Sequence, residues 1–141
     1  MNPSLYSLDV LRLAAASADT PRLDHAEGSA ERRATVCGSR ITVDVVTDAA
    51  GHVAHYGHEV RACALGQASA TILARGIIGR GRDDLVEARD ALAAYLGGSV
   101  DLPPDWPGIG ILARARPYTA RHPAILLGFD AAVDALGSTA G

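Results

Sequence analysis

The sequence predicts an α+β domain in which a small antiparallel sheet of about three strands packs against helices. Two observations carry this. From Arg40 to Val45 the residues alternate without a fault, with Ile41, Val43 and Val45 on one face and Arg40, Thr42 and Asp44 on the other. "DAAG" at 48–51 then makes a tight connection into a second extended run, His52 to Ala62, so the two runs form a hairpin. Beyond the hairpin the period changes to that of helices, punctuated by glycine and proline. With 141 residues and 48% hydrophobic content, the chain reads as a single domain over 1–141, large enough to bury a core without staples.

The elements follow in order. "MNPSLYSLDVLRLAAASADTP" reads as an N-terminal helix capped by Ser4 or Ser7. Its Ala-rich end looks like the apolar stretch of a secretory leader, but Asp9 and Arg12 interrupt it and no basic segment precedes it. Residues 18–31 are polar and irregular and read as a loop into the sheet, and a shorter strand at 32–36 extends the hairpin. In the hairpin, residue 47 is expected to face 52 and 48 to face 51. That register carries Cys37 to a place opposite Ala62, one step from Cys63. Helices are expected at about 64–78, ended by Gly79, at about 83–96, ended by Gly97 and Gly98, and at about 123–136, opening with Pro123. A Pro-rich crossing, "VDLPPDWPGIGILARARPYT", joins the last two, with one short helical turn near Ile109 to Ala113.

Charge narrows the partners. The 13 basic residues, all of them arginine, are spread along the chain against 16 acidic ones, for a net charge of -3. No basic stripe is present to track a phosphate backbone, so nucleic acid is not an expected partner. No run approaches the roughly 18 apolar residues of a membrane span. A cytoplasmic location is therefore expected, where stable disulfides are rare and paired thiols more often bind metal or react.

The two cysteines are the main chemical signal. Cys37 is followed by Gly38, and Cys63 opens a helix, so both belong to loops at one edge of the sheet. The plain reading is two small semi-buried side chains that meet by accident. The chemical reading is a ligand pair, since the unpaired N–H groups of a helix start suit a thiol that binds metal or acts as a nucleophile. Thiol–disulfide switching is a further option, which the lack of a C-x-x-C motif disfavours. His52, His55 and His58 in "GHVAHYGHEV" recur every third residue, but on a strand His55 points away from the other two, so no metal triad is expected. His122, just before Pro123, is either a capping residue or a ligand or proton acceptor beside the cysteines.

Four segments, "LYSLDVLRLA", "VCGSRITVDV", "RACALGQASATILARGIIG" and "DWPGIGILARARPYTARHPAILLGF", resemble in order the U-type iron–sulfur cluster assembly scaffolds, the family of IscU, SufU and the NifU N-terminal domain. The resemblance runs from about Leu5 to Leu136. It implies a three-stranded antiparallel sheet packed on helices, and a scaffold rather than an enzyme. In this family three cysteines and an aspartate hold zinc or a nascent [2Fe-2S] cluster, with sulfur supplied by a cysteine desulfurase and clusters passed to acceptor proteins.

Cys37 and Gly38 match the start of the family's Cys-Gly-Asp motif, and Ser39 stands where the aspartate is expected. Cys63 matches the second cysteine, and Ala124 stands at the third. The resemblance thus implies Cys37 and Cys63 as ligands for zinc, iron or a [2Fe-2S] cluster, with Ser39 as a weak candidate and His122 as a better one. A homodimer supplying two cysteines from each subunit would complete the four-thiolate set that a [2Fe-2S] cluster accepts. The alternative is a degenerate relative that keeps the surface for a desulfurase or another assembly factor and builds no cluster.

Overall fold

The computed structural model describes residues 6–35 and 38–139. Helix α1, Leu8–Ala16, starts where the Ser7 hydroxyl accepts the Val10 N–H at 3.4 Å, which makes Ser7 the cap; Ser4 lies outside the described residues. A 3₁₀ turn at Ser17–Asp19 follows, then strands β1, Gly28–Ala34, β2, Ser39–Thr47, and β3, Val53–Arg61. Helices α2, Ala64–Gly76, α3, Arg82–Leu96, and α4, His122–Gly137, complete the chain, with 3₁₀ segments at Ile109–Ala115 and Thr119–Arg121 on the crossing. Among the described residues no helix is long and apolar enough to cross a membrane.

The sheet is antiparallel in the order β1-β2-β3, and the fold is the expected α+β arrangement. One layer of helices covers one face. Ile41, Val43 and Val45 of β2 meet Leu65, Ile72 and Leu73 of α2 and Ile125 and Phe129 of α4 in a continuous core. Helix α1 lies on α2, held partly by the Thr71 hydroxyl donating to the Leu13 carbonyl at 2.6 Å. The Trp106 ring sits edge-on to Phe129, and its indole N–H donates to the Ile72 carbonyl at 2.9 Å, which ties the Pro-rich crossing to α2.

Two expectations need correction. Residues 28–31 are the first half of β1 rather than loop, a half that the sequence hides because its apolar side is only Ala30 among polar neighbours. The hairpin register also differs by two residues, since Arg40 faces Arg61 and Val45 faces Tyr56. The turn causes half of this. Asp48 and His52 close it, the Asp48 carboxylate accepts the Ala50 and His52 N–H groups at 2.9 Å, and Gly51 takes φ 82. The loop therefore holds three residues, 49–51, and its last position favours glycine. A bulge between Val46 and Thr47 adds the second residue, leaving Ala54 unpaired.

The outer face of the sheet is half covered by the chain after α1. Asp44, placed by alternation among the polar positions of β2, is fully buried there. It accepts two hydrogen bonds from the Arg22 guanidinium, each 3.0 Å, with others from the Leu23 N–H at 3.1 Å and the Ser29 hydroxyl at 2.6 Å. Burial pushes the Asp44 carboxyl up, but the hydrogen bonds from Arg22, Ser29 and Leu23 outweigh it, so it titrates below the usual range.

Candidate functional site

Strand β3 ends at Arg61, and two residues later the backbone of Cys63, at φ -63 and ψ 168, forms the N-cap of α2. Its carbonyl already accepts the Gln67 N–H at 2.9 Å, the first bond of the helix. The side chain makes no capping hydrogen bond. It is half-buried, packed on the edge of the core, as a free thiol. The chain thus places one sulfur at the rim of the sheet, over a helix start whose first N–H groups have no partner inside the helix.

Cys37, and with it the expectation that it stands opposite Ala62, lies outside the described residues. The residues after it are described. Gly38 has φ 70, a conformation that favours glycine, and its N–H donates to the Ala34 carbonyl at 3.0 Å. A sharp turn there explains a glycine after the cysteine. Ser39 follows as the first residue of β2, paired with Ala34 and only 2% exposed.

The first turn of α4 reaches the same region. Ala124 is buried, and a methyl group built on Gly66, three residues after Cys63, would come within 3.5 Å of the Ala124 Cβ. The next residue anchors the two helices, because the Ser69 hydroxyl donates to the Ile125 carbonyl at 2.6 Å. His122 opens α4 with its Nε2 3.0 Å from the Ala115 carbonyl and 3.1 Å from that of Arg116. Both partners are acceptors, so Nε2 carries the proton and the ring ties the 3₁₀ segment to the helix. Among the described residues no three His, Cys, Asp or Glu side chains gather as a metal-holding group.

Of the strand histidines, His52 and His55 are exposed and only His58 is buried. Sequence reasoning missed its role. Its Nε2 lies 2.8 Å from the Ser17 carbonyl, and its Nδ1 lies 2.7 Å from the Tyr56 hydroxyl. The carbonyl fixes the tautomer, with Nε2–H donating to Ser17 and Nδ1 accepting from Tyr56. Burial lowers the His58 pKa, and the bond to Ser17 offsets this only in part. The residue is a buried neutral strut between β3 and the end of α1.

The chain is 33% identical to the N-terminal part of a nitrogen-fixing NifU-like protein from Brucella abortus, with a TM-score of 0.88 over 97% of this chain and 95% of that one. This chain belongs to the U-type scaffold family. A putative iron–sulfur cluster assembly scaffold protein of the SUF system from Fervidobacterium islandicum AW-1 shares the fold at 20% identity, with a TM-score of 0.81 over 96% of this chain and 99% of that one. A protein described only as hypothetical matches with a TM-score of 0.68 and 17% identity over 91% of this chain and 96% of that one. No family model and no curated protein matches the sequence. In this U-type domain the opening turns of α2 and α4 meet at Gly66 and Ala124, three residues along α2 from Cys63.

Proposed function

We propose that this U-type domain is an iron–sulfur assembly scaffold whose cargo, zinc, iron or a [2Fe-2S] cluster, is held through Cys37 and Cys63. The observation that carries the reading is the half-buried Cys63 thiol at the N-cap of α2, in a chain 33% identical to a NifU-like N-terminal domain. Thiolates are suitable ligands for all three cargoes. Two sulfurs leave the shell incomplete. His122 would join through Nδ1, since Nε2 is engaged with two carbonyls, and Ser39 would be the weaker oxygen donor. Two subunits sharing one cluster would supply four thiolates instead. A cysteine desulfurase as sulfur donor, acceptor proteins for the cluster, a cytoplasmic location and a non-enzymatic role belong to the same reading.

A second reading has one observation in its favour. Ala124 puts a buried methyl where the resemblance expects a cysteine, which fits a relative that binds a desulfurase or another assembly factor without building a cluster. Metal and sulfide analysis of untagged protein, purified with and without oxygen, separates the two. The scaffold reading expects bound metal that falls sharply in Cys37→Ser and Cys63→Ser. Metal content near zero in the wild type under both conditions would favour the non-assembling relative.

A further inference from the structure

We propose that Arg33, Arg40 and Arg61 form a docking row for an acidic segment of a partner protein, on the outer face of the sheet at the end that bears Cys63. The register sets this row up. Arg33 faces Arg40 across β1 and β2, and Arg40 faces Arg61 across β2 and β3, so three guanidinium groups stand side by side on one face. Like charges directly opposed across strands work against the sheet. Among the described residues the compensating charges are Glu31 and Glu59, which flank Thr42 in the next row.

That compensation is loose. Arg33 and Arg40 share one oxygen of Glu31 at 3.5 and 3.3 Å, and Arg61 lies 3.7 Å from Glu59. Charge-assisted N–H···O bonds are usually about 2.7–2.9 Å. Elsewhere the protein comes close to that range, as in Arg89 with Asp130 at 2.7 Å and the paired 3.0 Å bonds of Arg22 with Asp44. Each guanidinium carries five donors, and among the described residues most of the donors in the row remain for another molecule. The side chains of Arg33 and Arg61 are 66% and 68% exposed, and that of Arg40 is 33% exposed. The three arginines open onto a hollow of about 260 Å³, lined also by Thr35, Gly38 and Ser39.

Size selects the occupant. Strands lie about 4.8 Å apart, so the row spans roughly 10 Å, more than one carboxylate or phosphate can bridge. Successive carboxylates along a peptide match it. The segment from Thr20 to Leu23 covers the Asp44 end of this face and stops short of the row, which leaves it open to a partner approaching Cys63. The inference is independent of which cargo Cys63 holds.

The test titrates an octaglutamate peptide into the full chain at low salt, followed by amide chemical shifts and calorimetry. Shifts are expected to centre on Arg33, Arg40 and Arg61, with affinity at least tenfold weaker in the triple variant Arg33→Gln, Arg40→Gln, Arg61→Gln. A charge-matched control, Arg12→Gln, Arg75→Gln, Arg114→Gln, changes three exposed arginines elsewhere and should keep wild-type affinity. Equal losses in both triples, no binding of the peptide, or inorganic phosphate binding as tightly as the peptide would each overturn the proposal. Thermal unfolding gives a second reading. Relief of like-charge repulsion should leave the Arg40→Gln single variant at least as stable as wild type, and a clear fall in its midpoint would show that the row serves the fold instead.

Discussion

Ala124 at the start of α4 lies against Gly66 at the start of α2, close enough that a methyl group on Gly66 would stand 3.5 Å from the Ala124 Cβ. Gly66 is in turn crowded by Ala62, whose Cβ would be 2.8 Å from that methyl. Three small residues thus hold the opening turns of two helices together beside Cys63.

The position of Ala124 predicts that Ala124→Cys adds a sulfur at the cysteine end of the fold. With a desulfurase, cysteine, iron and reductant, the variant should form more [2Fe-2S] cluster than wild type, read by visible absorbance and acid-labile sulfide. A full cluster per wild-type monomer, with no gain from the added cysteine, would mean that another group completes the shell. The added sulfur enters a tight site, so a stability cost of about 1–3 kcal/mol accompanies the gain.

His122 carries two separable roles. Replacing it with Ala removes the ring that links the Ala115 and Arg116 carbonyls to α4, at a cost of about 1 kcal/mol for a part-buried bond. If Nδ1 is also a ligand, zinc affinity should fall by more than tenfold, measured by competition with a chromophoric chelator. Unchanged zinc affinity in His122→Ala beside a marked loss in Cys63→Ser would leave His122 a structural residue.

His58 predicts a pH dependence of stability with a definite sign. Its folded pKa is lowered, chiefly by burial, so folding favours the neutral ring. That contribution is complete above the unfolded pKa of about 6.5 and is lost as the pH falls from there through the lower folded value. Urea unfolding at a series of pH values between 7.5 and 5 should show wild type losing stability, and His58→Gln should flatten the curve. Parallel curves for the two proteins would assign the acid sensitivity elsewhere.

Asp44 predicts a strong stability effect with no metal phenotype. Asp44→Ala leaves the Ser29 hydroxyl, the Leu23 N–H and the Arg22 guanidinium without their acceptor. Arg22 is half exposed and regains water, which holds the expected loss to about 2–3 kcal/mol, below the full range for a broken buried pair. Denaturant unfolding measures it. A change under 1 kcal/mol would mean that the segment over the sheet contributes little.

Helices were the most legible part of the fold. Each of α2, α3 and α4 lies within two residues of its expected bounds, because an apolar stripe with glycine or proline at its ends is written locally. Of the candidate site, the opening of α2 by Cys63 and the glycine turn after Cys37 were legible for the same reason. The partners of His122 were not, since Ala115 and Arg116 become its neighbours only when the 3₁₀ segment folds back on α4.

The sequence by itself determined the α+β class, the hairpin, the helix order and, through its resemblance, the family to which the chain belongs. Tertiary structure alone decided the strand register, and with it the chemistry of the outer face. A two-residue turn would have set Arg40 against Glu59, but the three-residue loop and the bulge at Ala54 set it against Arg61. Alternation repeats every second residue, so a shift of two leaves the apolar pattern unchanged while exchanging every cross-strand partner. Asp44 and His58 show the same limit. Alternation placed one on the polar face and left the other as a solvated or semi-buried position; Asp44 became buried because the chain after α1 crosses the sheet and supplies Arg22 and Leu23, and His58 because the end of α1 brings it the Ser17 carbonyl.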